Sequence, residues 1–133
     1  MTLIAPNYIY KVTKVNKIVD GDTIDVTIDL GLNIFIVKRL RLLNIDTDER
    51  RRGTSDQKKR AKMATNRISE LVSSGNVFIR TKMDTTGKYG RLLATIYVEL
   101  DNGSIMNVNK TLVSEGYEKG NTGFSFSKNL ILE

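Results

Sequence analysis

The chain contains no cysteine, no histidine and no tryptophan. Without cysteine there is no disulfide framework, no thiol nucleophile and no thiolate metal site. Without histidine the commonest general base is absent, together with Ser-His-Asp and Cys-His catalysis and every imidazole-ligated metal. If this chain is an enzyme, its proton acceptor is a carboxylate, a lysine or a tyrosine. Any metal it holds sits among oxygens, which puts Ca²⁺ and Mg²⁺ first. Proline occurs once, at Pro6, and no linker or repeat divides the sequence, so a single domain is expected over residues 1–133. No apolar run reaches the roughly 20 residues of a membrane span, so no membrane partner is expected. The opening MTLIAPNYIYKV lacks the basic start and apolar core of a signal peptide. The expectation is therefore an intracellular protein or the mature form of a secreted one.

What is present describes an ordinary globular chain. Its 133 residues can bury one substantial core, and hydrophobic residues at 40% with charged residues at 27% argue against disorder. The 21 lysines and arginines exceed the 15 acidic residues, for a net charge of +6. That excess favours a polyanionic partner such as nucleic acid, although solubility alone accounts for a charge of this size.

Residues 8–20, YIYKVTKVNKIVD, are rich in β-branched and aromatic side chains and predict a strand. DTIDVTID alternates strictly, with Asp22, Ile24, Val26 and Ile28 on one face and Thr23, Asp25, Thr27 and Asp29 on the other. After a turn at Gly31, NIFIVKRLRLLNI predicts a third strand, long and apolar on both faces. Between Thr54 and Ser73 the period changes: Ala61, Ala64, Ile68, Leu71 and Val72 form a helical stripe, with Thr54 and Gln57 as a capping box and Gly75 as the stop. NVFIRTKM and RLLATIYVEL predict two more strands, and Asp101-Asn102-Gly103 a hairpin turn. A short helix follows, capped by Asn107 and ended by Gly116, with Val108, Leu112 and Val113 on its buried side. Five strands with a helix after the third match the outline of an OB-fold barrel, an α+β and mainly β architecture whose surface commonly binds oligonucleotides.

Three segments carry chemistry. Asp22 sits in register with an apolar face, where a carboxylate needs a cation or several donors to offset its desolvation; the plain structural explanation is a turn aspartate capping IVDGDT. RLLNIDTDE, residues 41–49, sets an arginine inside an apolar strand and crowds Asp46, Thr47, Asp48 and Glu49 at its end. Oxygen-rich loops of this kind suit Ca²⁺, and a solvated acidic turn is the bland alternative. GKYGR, residues 87–91, suits a phosphate or a base, or is simply a tight basic hairpin.

Together, IVDGDT, RLLNIDTDE, KYGR-LLATIYV and VNKTLVSEGY resemble the staphylococcal nuclease (thermonuclease) family, in the family's order and at compatible spacing, over about residues 10 to 120. The resemblance implies a five-stranded OB-fold barrel with flanking helices and Ca²⁺-dependent hydrolysis of phosphodiester bonds in DNA and RNA. By motif, Asp22 and Asp46 are implied as metal carboxylates and Thr47 as a backbone-carbonyl ligand. Glu49 is implied as the residue that orients or deprotonates the attacking water, and Arg41 and Arg91 as the pair gripping the scissile phosphate. Lys88 and Tyr89 fall beside the nucleotide's terminal phosphate and base. The expected partner is DNA or RNA, and the expected state a monomer.

Three departures from the family stand out. Asp48 replaces the usual Pro, which predicts a more mobile loop and extra charge near the metal. Arg50-Arg51-Arg52 adds a basic run able to hold a polyanion, with a solvated loop as the alternative. The tail, residues 121–133, replaces the family's third helix with an irregular segment in which Phe124 and Phe126 either stack bases or pack over the barrel end. Two other readings compete: a nucleic-acid-binding OB module without catalysis, and a domain holding a protein partner. Loss of Glu49 or of either arginine would favour the first of these, and none is lost. The second leaves the inward carboxylate and paired arginines unexplained.

Overall fold

The computed structural model describes residues 7–84, 91–120 and 130–133. Six strands and two helices follow in the order β1 (Ile9–Asp20), β2 (Thr23–Asp29), β3 (Phe35–Leu42), α1 (Ser55–Val72), β4 (Asn76–Met83), β5 (Leu92–Glu99), β6 (Ile105–Asn107) and α2 (Val108–Ser114). The sheet runs β3-β2-β1-β4-β5-β6, and a parallel pairing of β3 with β5 closes its first five strands into a barrel. This is the OB-type α+β architecture.

Closure depends on β1, which is long enough to pair with β2 along most of its length and with β4 at its start. Its register against β2 slips between Val12 and Lys14, Val15 and Lys17, and Ile18 and Asp20. Each slip bends and twists the strand, as bulges do, and coils the sheet until β3 meets β5. Inside, Ile24, Val26, Leu40, Ile79, Ile96 and Val98 are fully shielded from water. The Ala61–Ala64–Ile68–Leu71–Val72 stripe of α1 closes one barrel end, and its capping box forms as expected, Thr54 and Gln57 satisfying each other's backbone amides.

Three expectations are corrected and one strand is added. The third strand stops at Leu42 rather than Ile45, because Asn44 takes a left-handed conformation (φ 64°) and turns the chain. Its first half is covered on one side only, with Phe35 and Val37 standing out in solvent. A sixth strand, β6, follows the Asp101–Gly103 turn, pairs with β5, and bridges residues 130–133 through Met106 and Leu132. Val113 is exposed, the buried side of α2 being Val108, Asn109, Thr111 and Leu112. The tail residues 121–129, with Phe124 and Phe126, lie outside the described residues, and so does the question of a third helix.

Candidate active site

The registers that close the barrel also assemble the site. Antiparallel pairing sets Thr23 opposite Arg41, so Asp22, one residue earlier, lies beside that arginine. Parallel pairing sets Arg41 opposite Leu93, which brings Arg91, just before β5, to the same barrel mouth. The loop from β3 to α1 delivers Asp46, Thr47 and Glu49. Asp22, Arg41, Asp46, Glu49 and Arg91 all line one cavity of about 870 Å³.

Asp22 is buried and held from several sides. One carboxylate oxygen accepts the Thr47 amide at 2.8 Å and lies 3.3 Å from the Arg41 guanidinium; the other accepts the Thr23 hydroxyl at 2.8 Å. These contacts supply the donors and cation that the sequence demands of an inward carboxylate. Arg41 is equally constrained. Its Nη1 donates to the carbonyls of Ile45 at 2.6 Å and Leu42 at 3.1 Å, and its Nη2 to Asp46 at 3.2 Å. Asp46 is by contrast exposed, and its carbonyl accepts the Lys119 amide. Arg91 donates to Asp84 at 3.2 Å; the Asp84 side chain is largely shielded while Arg91 reaches into solvent. Glu49 is half-exposed and pairs with Arg52 at 3.5 Å.

The Asp-Gly-Asp turn is gripped by α1. A Cβ on Gly21 would stand 2.6 Å from the Cβ of Ala64 and 3.1 Å from the Thr47 hydroxyl, so only glycine lets the turn approach the helix this closely. That hydroxyl is buried without a hydrogen-bond partner among the described residues, directly beside the carboxylate that holds its own amide. Asn109 secures the other flank: its amide nitrogen donates to the carbonyls of Leu43 and Ala94, and its oxygen accepts the Ile96 amide. One buried side chain thereby stitches the start of the β3–α1 loop to β5.

Two sequence expectations change here. Asp48 does not bring charge to the cavity. It is buried beneath the loop, where Arg60 of α1 donates to it at 3.2 Å, and the pair ties the loop to the helix. Arg50 faces partly inward as well, its side chain donating to the Val19 carbonyl at 2.9 Å and its amide to Asp20 at 3.2 Å. Arg51 and Arg52 are exposed beside a second cavity. Lys88 and Tyr89 lie outside the described residues.

Asp20, Thr23, Lys38 and Arg39 line the main cavity and were not singled out by the sequence. The repeated aspartate of Asp-Gly-Asp is the one signal that pointed to Asp20; the register slip that turns it inward is a tertiary feature. Arg39 forks onto Asp25 across the sheet at 2.8 and 3.1 Å, and that guanidinium holds the Asp25 carboxyl below its ordinary range. Among the described residues no three acidic side chains come close enough to hold a metal by themselves. The available donors are nevertheless all hard oxygens: the carboxylates of Asp20, Asp22, Asp46 and Glu49 on one cavity, with the backbone of Thr47 beside Asp22. Such a set fits Ca²⁺, which fills the rest of its shell with water and tolerates irregular geometry.

The sequence also matches known proteins. The family model described as Staphylococcal nuclease homologue matches residues 39–124. The SPbeta prophage-derived endonuclease YokF of Bacillus subtilis (strain 168) is 38% identical over 102 residues, covering 76% of this chain and 31% of that protein. Protein ParB of Escherichia coli is 32% identical over 107 residues, covering 77% of this chain and 53% of its own length. Endonuclease YncB of Bacillus subtilis (strain 168) is 36% identical over 104 residues, with coverages of 76% and 44%. The matched region thus spans about a third to a half of each relative.

Proposed function

The chain belongs to the family of staphylococcal nuclease homologues, and on that premise we propose that it hydrolyses phosphodiester bonds of DNA, and of RNA where the chain fits, in a Ca²⁺-dependent reaction. The observation that carries this reading is the convergence of Arg41 and Arg91, Asp22 and Asp46, and the half-exposed Glu49 on a single open cavity in a protein without histidine.

Each residue has a task its surroundings suit. Arg41 and Arg91 remain protonated at any working pH, so both serve as fixed charges facing the oxygens on which attack builds negative charge. Their planar forks match two phosphate oxygens at once, which a lysine cannot do. Carbonyls and carboxylates around Arg41, and Asp84 beside Arg91, orient the two groups before substrate arrives. Glu49 faces the cavity from a loop with solvent on one side, where it accepts a proton from water or orients it. Asp22, Asp46 and the Thr47 carbonyl would hold the calcium ion, which when bound supplies Lewis-acid stabilisation of a phosphate oxygen.

The test is direct. Purified protein is incubated with single-stranded DNA in Ca²⁺, in Mg²⁺ or in EDTA, and the products are resolved on a gel. Cleavage is expected in Ca²⁺ and none in EDTA, with Mg²⁺ a poor substitute because it demands near-octahedral geometry. Binding without cleavage in every metal would replace the nuclease with a nucleic-acid-binding module.

A further inference from the structure

A second cavity, of about 350 Å³, adjoins the first and shares Asp20, Arg39 and Glu49 with it. Its remaining lining is Val19 and four cations: Lys17 from β1, and Arg50, Arg51 and Arg52 from the loop after Glu49. Five cations therefore face two carboxylates. We infer that this cleft is a second phosphate subsite, which holds a phosphate of the same strand next to the one in the reaction cavity. The inference rests on the nuclease reading and adds to it the path of the polynucleotide across the protein.

The cations divide by how they are already engaged. Arg39 is neutralised by its fork onto Asp25. Arg50 is tied to the end of β1, so it shapes the wall. Arg52 is highly exposed and loosely paired with Glu49. Lys17 and Arg51 are exposed, and Arg51 has no partner among the described residues. An exposed cation held next to others of its own sign gains by meeting a phosphate, because the polyanion relieves the repulsion and releases its own counterions. Continuity with the reaction cavity makes that phosphate a neighbour along one strand. A dinucleotide fills the first cavity only, whereas a longer strand fills both.

The experiment compares Lys17→Ala/Arg51→Ala with the parent by fluorescence anisotropy, using labelled oligothymidylates of two and eight nucleotides across a salt series, in EDTA to prevent cleavage. Both residues are exposed, and a thermal melt of the variant checks that the fold is kept. The parent should bind the eight-mer more tightly than the two-mer. In the double variant the eight-mer should weaken roughly tenfold near 0.1 M salt, and the slope of log affinity against log salt should flatten by about 1.4, from two lost single-strand phosphate contacts. The two-mer affinity should change little, so the length preference shrinks. An unchanged eight-mer affinity and slope, in a parent that binds and in Ca²⁺ cleaves DNA, would overturn the subsite and leave the nuclease reading intact. A parent that neither binds the eight-mer nor cleaves DNA overturns both.

Discussion

At the scale of single residues, the site is a set of charges whose partners decide their roles. Glu49 is a solvent-accessible carboxylate of the cavity with only a long contact to Arg52, which suits it to accept a proton. Glu49→Gln keeps the shape and removes the base, so turnover measured in Ca²⁺ should fall by about 10²–10⁴. Affinity for uncleaved DNA should hold or rise slightly, since one negative charge near phosphate is gone. Arg41→Lys and Arg91→Lys keep the charge and lose the fork, so each should lose far more rate than stability; equal rates in all three variants would remove these residues from the mechanism. Asp48 belongs to a different class. Buried against Arg60, it contributes to stability, and Asp48→Ala should cost roughly 2 kcal/mol in urea denaturation by leaving a partly buried guanidinium without its carboxylate.

At the scale of elements, two contacts set how helices lie on the barrel. Arg67 of α1 forks onto Glu115 at the end of α2 at 2.6 and 2.8 Å, with Glu115 almost wholly buried. Breaking such a pair strands a charge in the interior. Glu115→Ala should therefore cost about 3–5 kcal/mol, while Arg67→Met/Glu115→Leu, which removes both charges, should cost much less. Denaturant midpoints of the two variants distinguish a stabilising pair from one that is merely costly to break. Between α1 and β4, Gly75 packs against β5 so closely that a Cβ would fall on the Glu99 carbonyl oxygen. Gly75→Ala should thus shift the backbone and lower the melting temperature. The helix itself ends earlier, at the Ser73 cap.

At the scale of the whole molecule, the proposed metal and pH both act through the folded state. On the proposed reading Ca²⁺ would be held by loops that exist only in the fold, so it should raise the melting temperature of the nucleic-acid-free protein, by about 2.7 kcal/mol of stability at a hundred times its dissociation constant. Asp22→Asn should erase most of that gain, a readout independent of cleavage. Alkaline pH acts in the opposite direction. Burial, with the nearby Glu115 charge, pushes the Tyr117 phenol above its ordinary 10.0, against the smaller opposing effect of Arg67. The unfolded chain then loses that proton first, so stability holds below about pH 10 and falls as pH rises beyond it. Tyr117→Phe should show a shallower alkaline loss than the parent in paired denaturation curves.

Local pattern alone determined most of the elements and marked the charges that break the apolar pattern. Strict alternation marked β2, the three-and-four stripe marked α1, and Thr54 with Gln57 marked its start, because these depend on neighbours a few residues apart. Asp22 and Arg41 were visible as charges set among apolar residues. The packing of distant segments decided the rest. The register of β3 against β2 and β5 brings Asp22, Arg41 and Arg91 to one mouth, and slips in β1 turn Asp20 toward it. Asp48, one residue from Glu49, points into the protein because Arg60 on α1 meets it there. In sequence the four acidic and hydroxyl residues after Ile45 look alike. Which of them faces the cavity, and which is buried against the helix, is set by desolvation and pairing with residues far along the chain, and those exist only once the barrel has closed.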